Sequence, residues 1–165
     1  MRSWKNVGAG LVVALLVVAC SDDGSDGNTS DTSSAENVAA PQLTFDGTAC
    51  TYAGPAEVTE GAVVVEFVNA SDDGANIEVD RFDEEGYTVD DVAEYLDDPT
   101  NTAEGGPAWL SNMGGVPGAD SGETIAWEGN LEAGDYLLAC NVSVAGSPWS
   151  AGAVTVGSGL TVVAG

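Results

Sequence analysis

From Gln42 onward the chain is cut into short apolar runs by Gly, Pro, Asn and Asp, and several of these runs alternate apolar with polar residues. Successive side chains of a strand point to opposite faces, so alternation marks a strand with one face buried. Val63, Val65 and Phe67 share one face of AVVVEFVN, Ile125 and Trp127 share one of ETIAWE, and Tyr136, Leu138 and Cys140 share one of GDYLLACN. LTFD, TACTY, ANIEVDRF, GAVTV and GLTVV complete a set of short strands with turn signals between them. Such a series predicts an all-β fold, a β-sandwich occupying residues 42–165.

One segment interrupts the β pattern. In TVDDVAEYLDDP, Val89, Val92, Ala93 and Leu96 recur at helical spacing, Thr88 stands where an N-cap belongs, and Pro99 ends the run. Asp90 and Asp91 suit the positive end of the helix dipole. Asp97 and Asp98 fall at the other end, where the dipole disfavours them.

The first twenty residues have another logic. Arg2 and Lys5 give a cationic start, Val7 to Ala19 form an apolar run, and Val17-Val18-Ala19 precedes Cys20. The run is too short for a bilayer core, which takes roughly 20 apolar residues. The pattern resembles the bacterial lipoprotein signal, which implies a signal peptide over residues 1–19, cleavage before Cys20 and acylation of Cys20 itself. Residues 20–41 are then the acylated cysteine and a linker of Ser, Asp, Gly, Thr and Asn, a composition that cannot bury enough apolar surface to fold. The expected location is the extracytoplasmic face of the cell membrane, or of an outer membrane where the host has one, with the membrane as a partner through lipid on Cys20.

Removal of Arg2 and Lys5 leaves 27 acidic residues against one cation, Arg81. So acidic a chain repels phosphate backbones, which excludes nucleic acid as a partner. The sequence contains no histidine, which removes Ser-His, Cys-His and zinc-histidine chemistry. Carboxylate pairs are the remaining catalytic equipment, and glycoside hydrolysis is the reaction they perform unaided. The chain is therefore read as a non-enzymatic binding or surface module, with a carboxylate glycosidase as one alternative.

Cys50 and Cys140 remain within predicted strands. Outside the cytoplasm an even pair predicts a disulfide.

The second half of this domain resembles the cupredoxins, the β-sandwich family of plastocyanin and azurin. VVVEFVNASDDGANIEV is similar to that family's strand ending in Asn before a loop and a copper-binding His. LEAGDYLLACNV is similar to its Leu-x-x-Gly-x-Tyr-x-x-x-Cys segment; the matching residues are Asn69, Leu131, Gly134, Tyr136 and Cys140. The resemblance implies a Greek-key sandwich, here with one short helix inserted. It would also imply type 1 copper, which needs two imidazoles and a thiolate. Ala75 or Asn76 stands where the first His belongs, and neither His nor Met follows Cys140, so no copper or other cofactor is expected. CTYAGPAEVTEG resembles uncharacterised secreted bacterial relatives of the family.

Two ligand sites suggest themselves. Acidic residues crowd between Asp72 and Glu104, and Asp72, Asp73, Asp80 and Asp83 are candidate ligands of a hard cation such as Ca²⁺, the second alternative function. NASDDGANIEVD spaces Asn69, Ser71, Asp73, Gly74 and Asp80 in the manner of an EF-hand loop, although its flanks look like strands. Trp109 and Trp149 lie in Gly/Pro-rich segments, where an aromatic ring can stack on a glycan or an extracytoplasmic protein ligand.

Overall fold

The structure is a computed structural model that describes residues 40–101, 105–115, 118–149 and 152–165. The expected signal segment, Cys20 and the expected linker up to residue 39 lie outside the described residues. Asn37–Gly165 form one compact unit. Its elements are β1 (Gln42–Phe45), β2 (Cys50–Ala53), β3 (Glu57–Thr59), β4 (Gly61–Asn69), β5 (Ala75–Phe82), α1 (Val89–Asp97), β6 (Leu110–Gly115), β7 (Thr124–Leu131), β8 (Gly134–Val142) and β9 (Val154–Val163). Among the described residues no helix is long and apolar enough to cross a membrane.

The strands form two sheets, one in the order β2-β1-β4-β7 and one in the order β3-β9-β8-β5-β6. Most pairs are antiparallel, but β1 runs parallel to β4 and β3 parallel to β9. The alternating residues do what their spacing predicts. Leu43, Phe45, Val65, Phe67, Ile77, Val79, Trp127, Tyr136, Leu138 and Leu160 meet between the sheets in one core. Cys50 and Cys140 are joined through that core as a disulfide linking β2 of one sheet to β8 of the other.

The outer face of the five-stranded sheet is also covered. Leu137 and Ala139, which point away from the main core, pack with Val92 of α1, Trp149 and Val154 in a second apolar cluster. Helix α1 supplies Val89, Val92 and Leu96 to this layer, as its periodicity requires. Its start is fixed by Asp91, whose carboxylate accepts from the Thr88 backbone N–H at 2.7 Å and from Thr88 Oγ1 at 2.8 Å, and these bonds hold the Asp91 pKa below its usual value. At the other end Asp98 accepts from the backbone N–H and hydroxyl of Thr100, and Asn101 Nδ2 donates to the Tyr95 carbonyl. Asp98 is thus a turn residue after the helix, which accounts for an acid where the dipole disfavours one.

GAVTV and GLTVV, expected as two strands, are one continuous β9 with a register shift opposite Leu138 and Ala139. Ala139 pairs with Val156 and Leu138 with Ser158, so Gly157 is the extra residue of a bulge. A Cβ on Gly157 would lie 2.6 Å from the Leu138 carbonyl oxygen and 2.9 Å from Cys50 Sγ. This glycine allows close approach to the disulfide; it does not end a strand. The bulge also swaps the faces of β9, placing Val154 and Val156 in the outer cluster and Leu160 and Val162 in the main core.

Candidate functional site

Covering the outer face buries the polar residues of β5 that alternate with Ile77 and Val79. Glu78 is 6% exposed and Asp80 2% exposed, two residues apart on the same face of one strand. Asn141 of β8 is buried beside them. Glu78 accepts from Trp149 Nε1 at 2.7 Å through Oε1 and from Asn141 Nδ2 at 2.9 Å through Oε2. Asn76 Nδ2 donates in turn to Asn141 Oδ1 at 3.0 Å and makes a longer contact, 3.4 Å, with Ser143 Oγ. The amides therefore form a directed relay ending on a carboxylate, the arrangement that strengthens hydrogen bonds to an ionised acceptor.

Asp80 is less well provided for. Asn112 Nδ2 donates to Oδ1 at 3.1 Å, while the buried Oδ2 has no hydrogen-bond partner among the described residues. Burial first, and the neighbouring Glu78 second, push its pKa up to about 7 against the pull of the Asn112 bond.

A groove of about 540 Å³ opens over this network. Asn76, Glu78, Asn112, Asn141 and Ser143 supply its polar lining, and Val142, Val144 and Pro148 an apolar wall. Gly118 keeps it open: a Cβ there would stand 2.7 Å from Asn76 Oδ1 and 3.1 Å from Ser143 Oγ. The groove's volume lies in the range of small-molecule sites, with a lining more polar than most of them have.

The residues singled out in the sequence fare differently. Trp109 and Trp149 do belong to one cluster, but not as an exposed platform. Tyr95 of α1 stands edge-on to both, with ring centroids at 6.4 Å and 6.3 Å. Trp109 stacks on Tyr87 at 4.3 Å, and Trp149 is 8% exposed with its indole nitrogen committed to Glu78. The apolar stripe of α1 and the outer face of β8 need these rings as filling, so Trp149 cannot present a free face to a ligand.

The acidic candidates are not gathered either. Asp72 and Asp73 are exposed in the turn between β4 and β5, Asp80 is buried on β5, and Asp83 is exposed and accepts from Ser111 Oγ. Among the described residues no group of three His, Cys, Asp or Glu side chains could hold one metal ion. The EF-hand-like spacing has another cause. Asn69, wholly buried, donates through Nδ2 to the Asp73 and Ala119 carbonyls and accepts through Oδ1 from the Ser71 backbone and hydroxyl. Its amide ties the end of β4 to two loops, so it faces backbone and not a cation. Nor do Glu78 and Asp80 stand on opposite walls of a cleft, where a two-carboxylate hydrolysis needs them.

The residues present do not fit the copper site that the resemblance implies. The Cys140 sulfur is bonded to Cys50, Ala75 offers a methyl group packed in the main core, and Asn76 is engaged with Asn141. The sequence holds no imidazole to replace them. Sequence reasoning missed the buried Glu78 and Asn141 and the exposed Asn112, and it singled out Asp80 as a cation ligand on the surface and not as a buried acid. The available signal was the continuous apolar run Tyr136–Leu137–Leu138–Ala139–Cys140, which has no solvent face.

No protein-family model matches the chain, and no curated protein matches it in sequence. Solved structures similar to it include a dithionite-reduced auracyanin from Roseiflexus castenholzii, 19% identical with a TM-score of 0.40 over 74% of this chain and 94% of that one. An azurin from Methylomonas sp. strain J is 15% identical with a TM-score of 0.37, over 71% of this chain and 94% of its own. A purple cupredoxin from Nitrosopumilus maritimus is 14% identical with a TM-score of 0.35, over 74% and 98%. The described residues of the chain form a mostly β, two-sheet sandwich with one short helix.

Proposed function

We propose that this protein is a lipid-anchored, extracytoplasmic binding module: a copper-free, cupredoxin-like sandwich that holds a small ligand in the groove beside Asn76, Glu78 and Asn141 and catalyses no reaction. The observation that carries this reading is the groove itself, where polar side chains converge over a buried carboxylate. Besides Asn112 and Gly115 of β6 and Gly118, its walls come from two segments, the start of β5 and the end of β8 with the loop that follows. Those are the two segments that the sequence resemblance associates with ligands, and here they carry amides and a hydroxyl in place of imidazoles. The anchor is supported by the sequence pattern ending at Cys20.

Val144, 41% exposed on the groove wall, gives a direct test, because a larger side chain there obstructs the groove without entering the core. Thermal denaturation of the full chain is measured with a panel of small amines, amino acids and sugars. A solute that raises the Tm of the native protein saturably, and has no effect on Val144→Trp, is the expected result. The same shifts in both proteins, or none in either, would refute the groove. For the anchor, Cys20→Ser is expected to move the protein from the membrane to the soluble fraction. Retention of the variant on membranes refutes the anchor alone.

A further inference from the structure

We propose that the groove takes a small organic cation, a primary ammonium on a short aliphatic stem, with Glu78 as its counter-charge. This rests on the reading of the groove as a binding site and names what it selects.

Buried acid at the groove outweighs the positive charge near it. Two carboxylates, Glu78 and Asp80, are more than nine-tenths buried side by side, and none of the partners they have is a cation. Buried charges are ordinarily paired. Arg81 is the one cation in the described residues, and it is engaged with the Glu132 carboxylate at 3.2 Å and the Ala133 carbonyl. Among the described residues, the donors shown to reach Glu78 and Asp80 are the neutral Trp149, Asn141 and Asn112, and Asp80 Oδ2 has none. No described residue therefore supplies positive charge to Glu78 at the groove.

The form of the site suits an ammonium better than a metal ion. A hard divalent ion wants six to eight oxygen ligands, whereas no set of even three acidic side chains converges here. An ammonium group has only three N–H bonds to place. Each Glu78 oxygen accepts one bond in the relay and keeps a lone pair, and Asn side-chain carbonyls supply further acceptors. Val142, Val144 and Pro148 give an alkyl stem an apolar surface that a bare ion would not use. Asp80 is a positioning residue: it holds Asn112 on the groove wall without touching the ligand. The acid-rich surface steers cations toward the groove.

The test titrates the full chain in detergent with n-butylammonium, with n-butanol as the neutral isostere, and with CaCl₂, following tryptophan fluorescence because the Trp149 indole sits on Glu78. The expected result is saturable binding of n-butylammonium at least tenfold tighter than n-butanol, abolished by Val144→Trp. Glu78→Gln, which keeps an acceptor for Trp149, is expected to weaken it at least tenfold. Should Glu78→Gln fail to fold by circular dichroism, the comparison of the two isosteres in native protein and Val144→Trp decides alone. Equal binding of n-butanol and n-butylammonium, lost in Val144→Trp, overturns the cation and leaves the groove intact. Saturation by Ca²⁺ without n-butylammonium overturns it in favour of a metal. No saturable response to any probe overturns it as well, and the wider solute panel then decides whether the groove binds at all.

Discussion

Replacing Asp80 with Asn isolates the cost of burying a second carboxylate beside Glu78. The folded Asp80 holds its proton up to about pH 7, against 3.8 for an ordinary aspartate. Between those values the folded chain binds more protons than the unfolded chain, so stability falls as pH rises through this window. At about 1.4 kcal/mol per pKa unit, the loss reaches an upper value of about 4 kcal/mol above pH 7 and vanishes below pH 3.8. Asn cannot ionise. The variant is therefore expected to gain on the native protein steadily from pH 4 to pH 7 and then to hold a constant advantage. The unpartnered amide that Asp80→Asn introduces costs about 1–3 kcal/mol at every pH, which moves the offset and not the slope. Urea denaturation at pH 4.5, 5.5, 6.5 and 8, read by tryptophan fluorescence, measures the difference, in which the carboxylates other than Glu78, the neighbour of Asp80, cancel. Parallel stability curves for the two proteins, or a gap that closes with rising pH, would refute the reasoning.

Reduction of the Cys50–Cys140 bridge, which spans 90 residues, is expected to lower stability by about 4–5 kcal/mol in the chain-entropy account; two titratable thiols in the unreduced, denatured protein count against the bridge. Addition of Cu²⁺ is expected to give no intense blue absorption, and a stoichiometric blue species lost in Cys140→Ser would contradict the donor set described above. Asn69→Ala removes four hydrogen bonds and strands the Ser71 backbone N–H, while Ser71 Oγ and the Ala75 N–H still reach the Asp73 and Ala119 carbonyls, so it is expected to cost about 1–3 kcal/mol; an unchanged urea midpoint sinks that account.

Elements with strict alternation or helical spacing were legible in the sequence. ANIEVDRF is β5 to the residue, and Thr88 opens α1 where its type and position suggested. β3 is only three residues of a polar segment, and β6, LSNMGG, has an almost wholly exposed face and two glycines, so neither carries an apolar period. Gly157 read as punctuation because a glycine that clears a disulfide and one that ends a strand look alike in one dimension. The groove escaped for a related reason. Alternation assigns Asn76, Glu78 and Asp80 to the face opposite Ile77 and Val79, and that face is solvent unless another layer covers it. The covering layer is assembled from α1 and from Trp109 and Trp149, which are distant in sequence. The disulfide was legible because only two cysteines remained to pair, whereas the tryptophans could serve equally as filling or as platform.

The place of β9 between β3 and β8 has a kinetic consequence. Thr59 lies beside Val163 in parallel register, so the five-stranded sheet gains its β3 edge only after the chain has closed a loop of about a hundred residues. Native pairs so far apart in sequence give the topology a high contact order, and folding should be slow relative to a helical bundle of equal length. Until β9 docks, β8 exposes an open hydrogen-bonding edge and the apolar residues beneath it, which is when the chain is most open to association with its own copies. The bulge at Gly157 lies within this late-docking strand, so a side chain introduced there would act at that closing step, where it meets the Leu138 carbonyl and the disulfide together.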